Sequence, residues 1–94
     1  ADIRDQAQLQ KAITAFEPEI VFHLAAQSIV RRSYVEPCAT FEVNVVGTAN
    51  LLQSIRHAAS VKSAVIVTSD KCYENADLGG LFREEDAMGG SDPY

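Results

Sequence analysis

The sequence has few of the features that mark membrane-spanning, nucleic-acid-binding or disulfide-stabilised proteins. It contains no Trp, one Met and two Cys, and its 13 acidic residues outnumber its 8 Lys and Arg. Its apolar runs are far shorter than the roughly 18 residues that a membrane-spanning helix needs. No signal-peptide pattern opens the chain, and no cluster of basic residues suits a nucleic acid. We therefore expect neither a membrane nor a nucleic-acid partner.

The two cysteines indicate reduced thiols in a cytoplasmic protein. Cys38 and Cys72 lack the spacing of a metal site, and two isolated thiols do not make the dense framework of a secreted disulfide domain. We therefore expect a cytoplasmic location and no metal. The apolar content of 47% suits a globular core and excludes a disordered segment.

Helical patterns alternate with short apolar runs through the first two thirds of the chain. The predicted elements are a helix over 6–16 capped by Asp5, a strand over 20–24, a polar loop over 25–36, a helix over 37–59, a strand over 63–68 and a loop over 69–92. Both strands are continuously apolar, which predicts burial on both faces. The alternation is typical of the α/β class and predicts adjacent parallel strands in a Rossmann-like doubly wound sheet.

Polar side chains follow the second predicted strand at once. The run Thr68-Ser69-Asp70-Lys71 supplies two hydroxyls, a carboxylate and an amine. In open parallel sheets, ligands bind at the carboxyl ends of the strands. A loop as long as 69–92 within a compact unit is typically functional. The sequence therefore places its best candidate active site here.

Three motifs, in this order and spacing, resemble the extended short-chain dehydrogenase/reductase family and the sugar-nucleotide 4,6-dehydratases within it. They are His23-Leu24-Ala25-Ala26-Gln27, Asn44-Val45-Val46-Gly47-Thr48 and Asp92-Pro93-Tyr94. The likeness covers essentially the whole chain. Three further runs are most similar to the dehydratases that act on CDP-glucose: Val30–Tyr34, Ser69–Asn75 and Gly89–Tyr94.

The resemblance implies an NAD-dependent lyase that acts on a nucleotide sugar and forms a homodimer through the helix 37–59. The glycine-rich phosphate loop of that family is absent from these residues. Residues 1–94 are accordingly expected to be a fragment of the NAD-binding domain, incomplete at both ends, without a second domain and inactive alone. The implied cofactor contacts are Asp2, Ile3, Leu24, Ala25, Ala26, Gln27, Thr68 and Tyr94.

The resemblance also implies catalytic roles for four residues. Tyr94 takes the proton of the sugar 4-hydroxyl and Ser69 holds the 4-oxygen. Asp70 protonates the departing 6-hydroxyl, and Lys71 removes the C5 proton. An acid must be protonated near neutral pH, so Asp70 needs a pKa raised by desolvation, which a Lys71 ammonium would oppose.

Several residues carry more than one interpretation. Arg32, Ser33 and Asn44 are candidate substrate contacts, although Arg32 could also be a solvated cation and Asn44 a buried hydrogen-bonding residue. His23 fits a core position better than a catalytic one. At the level of function, the alternatives are a nucleotide-sugar epimerase, a GDP- or dTDP-sugar dehydratase, and a non-catalytic dimerisation or scaffold fragment. Asp70 and Lys71 speak against the epimerase, which needs no acid–base pair for water loss.

Overall fold

The computed structural model describes residues 1–74 and 81–94. Its two strands, β1 (Ile20–His23) and β2 (Ser63–Ile66), pair in parallel with Ile20 opposite Ser63 and His23 opposite Ile66. The predicted adjacent parallel strands are therefore confirmed, although each strand ends earlier than predicted. The polypeptide between them crosses over through the helices, as in a Rossmann-like fold.

The first helix, α1 (Gln6–Phe16), lies where the sequence predicted it. The Asp5 carboxylate accepts a hydrogen bond from the Gln8 N–H at 3.0 Å, which satisfies one orphan donor of the first turn. At the other end Glu17 adopts a left-handed conformation with a φ of 49°, and its N–H donates to the Ile13 carbonyl. Pro18 follows and prevents the helix from continuing.

The predicted loop 25–36 is wrong in its second half, because a short helix, α2 (Val30–Val35), lies there. It is stabilised locally: the Ser33 hydroxyl donates to the Val30 carbonyl at 2.6 Å, and Arg32 pairs with Glu36 one turn on. The segment mixes β-branched, aromatic and charged residues without a helical apolar period. The sequence pattern therefore gave no signal for it.

The predicted helix 37–59 is shorter and less regular than expected. It consists of α3 (Pro37–Phe41), a π segment (Glu42–Val46) and α4 (Gly47–Arg56). The Thr48 hydroxyl donates to the Asn44 carbonyl at 2.7 Å. Hydroxyl bonds of this kind perturb the regular backbone hydrogen bonding of a helix. In the π segment the Gly47 N–H reaches back to the Glu42 carbonyl.

The apolar core of the described residues is small. Ile13 on α1 and Leu51 on α4 are its buried apolar side chains, and these two helices pack together. The prediction that both strands are buried on both faces is not met here, since Phe22 is 65% and Val65 44% exposed. The described chain is a slab with extents of 46 × 30 × 15 Å and a radius of gyration of 15.4 Å. A compact globule of this length would have a radius of about 12 Å. Within residues 1–74 and 81–94, no helix is long and apolar enough to cross a membrane.

Candidate active site

A cleft of about 410 Å³ opens at the carboxyl ends of β1 and β2. Three parts of the chain line it. They are the end of β1 with the loop that follows, the helix from α3 to α4, and the segments 66–72 and 90–94 after the start of β2. The lining residues are His23, Ala25, Ala26, Thr40, Phe41, Asn44, Val45, Thr48, Ile66, Val67, Thr68, Ser69, Lys71, Cys72, Gly90, Asp92, Pro93 and Tyr94. The position agrees with the one predicted from the sequence.

The π segment holds the loop after β1 through the side chain of Asn44. Its Oδ1 accepts from the Gln27 N–H at 2.8 Å, and its Nδ2 donates to the Gln27 carbonyl at 3.0 Å. Asn44 therefore pairs with the backbone of Gln27 much as a neighbouring strand would. Both polar functions of this amide are used within the protein, although Asn44 still lines the cleft that a substrate would enter.

The Gln27 side chain ties the same loop to α3 and α2. Its Nε2 donates to the Thr40 hydroxyl at 3.1 Å, and its Oε1 accepts from the Ile29 N–H at 2.8 Å. Thr40 is almost fully buried, and its hydroxyl donates to the Glu36 carbonyl. Ala25 and Ala26 thus line the cleft on a loop that is bonded at its far end.

At the near end of that loop, His23 is buried with 5% of its surface exposed. Its Nε2 lies 2.9 Å from the Thr48 hydroxyl oxygen. Because that hydroxyl donates its one hydrogen to the Asn44 carbonyl, it can only accept from His23. The imidazole must therefore carry a hydrogen on Nε2. His23 acts as a buried hydrogen-bond donor, which agrees with the core position favoured by the sequence.

On the opposite wall, the predicted catalytic residues Asp70 and Lys71 lie on a 3₁₀ turn, Asp70–Cys72, that begins after Ser69. The Ser69 hydroxyl oxygen accepts from the Lys71 N–H at 3.0 Å and caps this turn. The Lys71 ammonium lies 3.6 Å from the Asp70 carboxylate. Ser69 and Lys71 line the cleft, whereas the Asp70 side chain is 74% exposed and lies outside the lining. The described residues therefore do not supply the desolvation that the acid role requires.

Tyr94 reaches the same wall through a short antiparallel ribbon. The Glu74 N–H donates to the Ala87 carbonyl, and the Gly89 N–H donates to the Cys72 carbonyl. The rings of Tyr73 and Phe82 stack with centroids 4.8 Å apart. The ribbon returns the chain to the cleft, so that Lys71 and Tyr94 line one space despite their separation in sequence.

The last turn before Tyr94 is fixed by Asp92. The Asp92 carboxylate accepts a hydrogen bond from the Tyr94 N–H at 2.8 Å across Pro93. An aspartate side chain that accepts from the backbone two residues on closes a tight turn. Asp92 lies in the cleft lining and is half-buried.

The predicted site residues fall into two groups. Those brought together in the cleft are Ala25, Ala26, Asn44, Thr68, Ser69, Lys71 and Tyr94. Those that lie outside its lining are Asp2, Ile3, Leu24, Gln27, Arg32, Ser33 and Asp70. Gln27 acts on the cleft through the loop, as described above. Asn75, the last residue of the motif that begins at Ser69, lies outside the described residues.

Ser33 and Arg32 do not lie where a direct substrate contact would place them. Ser33 is fully buried, and its hydroxyl donates to the Val30 carbonyl. The Arg32 guanidinium pairs with Glu36 at 2.6 Å on the exposed side of α2. Neither residue belongs to the lining of the cleft, and their substrate contacts stay predictions.

Asp2 is held in an ion pair at the edge of the fold. The Arg4 guanidinium binds both carboxylate oxygens and lowers the pKa of Asp2 from 3.8 to about 2. Arg4 also approaches Glu42 at 3.7 Å, at the start of the π segment. The neighbouring Ile3 packs against Gly47, and the Asn50 amide donates to the Arg4 carbonyl at 3.1 Å. Ile3 and Arg4 thus anchor the N-terminal segment to the long helix.

Sequence reasoning did not assign a site role to several lining residues. Thr40, Phe41 and Val45 lie on a helix face that the apolar period marks only as core. Cys72 and Asp92 lie within the predicted loop 69–92, where the apolar residues have no periodic spacing. The available signal for Asp92 was its position two residues before Tyr94 with a proline between, which is a helix-start signature.

Comparison with known proteins covers the whole chain. The family model described as GDP-mannose 4,6 dehydratase matches residues 1–94. A CDP-glucose 4,6-dehydratase of Salmonella typhimurium is 48% identical over 93 residues, which is 99% of this chain and 26% of that protein. A dTDP-glucose 4,6-dehydratase of the same organism is 33% identical over 111 aligned positions, covering 100% of this chain and 31% of that protein.

A solved structure of the UDP-glucose 4-epimerase of Thermus thermophilus, in complex with NAD, superposes with a TM-score of 0.87 and 32% identity. It covers 100% of this chain and 30% of that one. The chain thus spans between a quarter and a third of the length of these three relatives. The superposition supports the Rossmann-like fold predicted from the alternating pattern.

Proposed function

We propose that this chain, which belongs to the GDP-mannose 4,6 dehydratase family, is the central segment of an NAD-dependent 4,6-dehydratase acting on CDP-glucose. The observation that carries the proposal is the cleft wall on which Ser69, Lys71 and Tyr94 meet at the carboxyl ends of the strands. The choice of CDP-glucose rests on the 48% identity to the Salmonella enzyme. The product would be CDP-4-keto-6-deoxyglucose.

The cleft suits the reactive ends of a nicotinamide cofactor and a hexose. Its volume of about 410 Å³ lies within the usual range for small-molecule sites. Ala25 and Ala26 line one side with side chains no larger than a methyl group, so a planar ring can approach the backbone. The Thermus thermophilus relative was solved with NAD. When bound, NAD would accept a hydride from C4 of the sugar and return one to C6.

The chain's own residues would manage the protons. Tyr94 would take the proton of the 4-hydroxyl while Ser69 holds the 4-oxygen. The resulting 4-keto group makes the C5 proton acidic, and Lys71 would remove it and give it back to C5 when the hydride adds at C6. Asp70 would donate a proton to the 6-hydroxyl, which leaves as water. A bound sugar would have to cover Asp70, because its carboxylate is exposed in the described residues.

A nucleotide-sugar 4-epimerase is the second candidate. The fold similarity to the Thermus thermophilus epimerase favours it, at a TM-score of 0.87. An epimerase needs no group to protonate a leaving hydroxyl, so residues 70 and 71 would have no chemical task. The presence of Asp70 and Lys71 side by side, with Lys71 in the lining of the cleft, therefore supports the dehydratase instead.

The test is Asp70→Asn in the full-length enzyme that contains this chain. The amide keeps the shape of the side chain but cannot donate the required proton. Oxidation at C4 depends on Tyr94, so the variant should accumulate reduced cofactor and a 4-keto nucleotide sugar. Turnover should fall by roughly 10²–10⁴-fold, the usual contribution of a positioned acid.

Tyr94→Phe is the matched control, because it should block the reaction before any reduced cofactor appears. The measurement is the absorbance of reduced nicotinamide after mixing enzyme with CDP-glucose. Normal turnover by Asp70→Asn would refute the dehydratase role of this residue and favour the epimerase. The absence of turnover by the wild-type enzyme on CDP-glucose would refute the proposed substrate.

A homodimer through residues 37–59 is part of the proposal. Phe41, Val45 and Leu52 are each about half exposed along this helix, and so is Val46. Phe41 and Val45 line the cleft, which leaves Val46 and Leu52 as the better interface candidates. Val46→Glu should weaken dimerisation because it would bury an unpaired charge. An unchanged dissociation constant in sedimentation would count against this face.

A further inference from the structure

The buried His23 is a titratable side chain with no task in the proposed reaction. It lies at the last position of β1, and its Nε2 donates to Thr48 on α4 at 2.9 Å. Buried polar side chains are retained when every hydrogen bond is satisfied, and here the donor and acceptor roles are fixed by the single hydrogen of the Thr48 hydroxyl. The interaction therefore requires a hydrogen on His23 Nε2 and one geometry.

The His23 contact continues into a chain of hydrogen bonds that brackets the loop after β1. Thr48 donates to the Asn44 carbonyl at 2.7 Å, and the Asn44 side chain pairs with both backbone groups of Gln27. His23 stands immediately before the loop 24–27, and Gln27 ends it. Both ends of the loop are thus bonded to one stretch of helix, the π segment and the first turn of α4.

We propose that His23 is a positioning residue for the cofactor. Through Thr48 and Asn44 its Nε2–H sets the place of the Ala25–Ala26 backbone in the cleft, and it exchanges no proton with the substrate. We call the bonds from His23 through Thr48 and Asn44 to Gln27 the loop clasp. The inference rests on the proposed function, because it assumes that Ala25 and Ala26 face NAD.

A clasp of this kind predicts a defined energetic signature. Its members act in series, so breaking one link releases the loop, and breaking a second adds little. Loss of one buried hydrogen bond between neutral groups corresponds to roughly a fivefold to tenfold change in an equilibrium constant. We expect this change in the affinity for NAD, because the released loop must be ordered again when the cofactor binds.

The experiment measures NAD affinity by calorimetry on the full-length protein. His23→Leu and Thr48→Val should each weaken NAD binding by about fivefold to tenfold, and the double variant should be no weaker than the poorer single one. His23→Gln offers an amide donor near the position of Nε2, and Thr48→Ser keeps the hydroxyl. Both should recover most of the lost affinity.

His57→Leu is the matched control. It removes a histidine Nε2 contact to Gln53 of similar length, 3.0 Å, at the exposed end of α4 and outside the cleft lining. NAD affinity should be unchanged in this variant. If His23→Leu does not fold, Thr48→Val and Thr48→Ser still test the clasp, because valine has nearly the shape of threonine.

Two results would overturn the inference. One is an unchanged NAD affinity in Thr48→Val with a lower melting temperature, which would make the contact one of packing only. The other is additive losses in the double variant. The proposed function fails separately: a protein that binds NAD and shows the predicted pattern, but does not dehydrate CDP-glucose, would keep the clasp and lose the dehydratase.

Discussion

The two walls of the cleft differ in how their polar groups are bonded. On the wall formed by β1 and the long helix, His23, Asn44 and Thr48 are at least half-buried and are bonded to partners 17 to 25 residues away or to the helix backbone. On the wall after β2, the side chains of Ser69 and Asp70 are bonded to immediate neighbours. Long-range buried bonds fix geometry, whereas locally bonded and exposed groups stay available to a ligand. We call the first the positioning wall and the second the chemical wall, after the roles that the proposed function would give them.

The largest expected effect tests the rigidity of the positioning wall. Gly47 lies where the long helix meets Ile3, and an added Cβ would come within 2.9 Å of an Ile3 side-chain carbon. Gly47→Ala gains helix propensity but must displace a β-branched side chain. We expect a net loss of about 1–3 kcal/mol in the free energy of unfolding, as for other overpacked sites.

Chemical denaturation of the full-length protein measures this loss. In an Ile3→Ala background the same substitution should cost clearly less, because the obstructing atoms are gone. An equal cost in both backgrounds would show that Ile3 does not set the limit, and that the wall yields elsewhere.

The next prediction tests whether local hydrogen bonds alone hold the side chains of the chemical wall in place. Asp92→Ala removes the acceptor of the Tyr94 N–H and should misplace the tyrosine. We expect kcat to fall about tenfold, consistent with the loss of a capping bond, while KM for the sugar nucleotide changes little.

Asp92→Ser retains an oxygen that can accept the same hydrogen bond and should restore kcat. Steady-state kinetics on the full-length enzyme give both constants. A parallel loss in Ala and Ser variants would mean that the carboxylate charge matters and that the cap does not.

The smallest effect concerns the ion pair that anchors the N-terminal segment to the positioning wall. Arg4 lowers the pKa of Asp2 to about 2. A lowered pKa in the folded state contributes stability that is present above the ordinary pKa of 3.8 and is lost as the pH falls through the folded value. Asp2→Asn should therefore make the free energy of unfolding depend less steeply on pH between about pH 4 and pH 2. Thermal unfolding of wild type and variant across that range measures it, and identical slopes would exclude Asp2 as a contributor.

The sequence predicted the parallel strands and the cleft position because each depends on patterns within a few residues. Asp5 caps α1 through Gln8, and the run from Thr68 follows β2 directly. The π segment and α2 escaped prediction because neither has an apolar period that sets it apart, and the hydroxyl bonds of Thr48 and Ser33 within them leave no sequence pattern. The buried strand faces were predicted from composition, but burial depends on which other elements cover a sheet.

Sequence patterns also failed to predict burial on the wall after β2. Ser69, Lys71 and Tyr94 were identified through their motifs, and the cleft contains all three. The exposure of Asp70 was not foreseen, because the motif specifies a residue type and not how deeply the turn buries it. The burial of Ser33 was likewise not foreseen, because the sequence places a hydroxyl beside two arginines without showing which face of α2 carries it.

The π segment also constrains which length changes the long helix can tolerate. Each residue in an α-helix advances the side-chain direction by about 100°, so one residue more or less rotates everything downstream by that angle. Deleting a single residue within Glu42–Val46 would restore a regular helix but turn Gly47 away from Ile3 and Thr48 away from His23. Substitutions in this segment leave that phase unchanged, whereas a one-codon deletion would change the phase between the two ends of the helix.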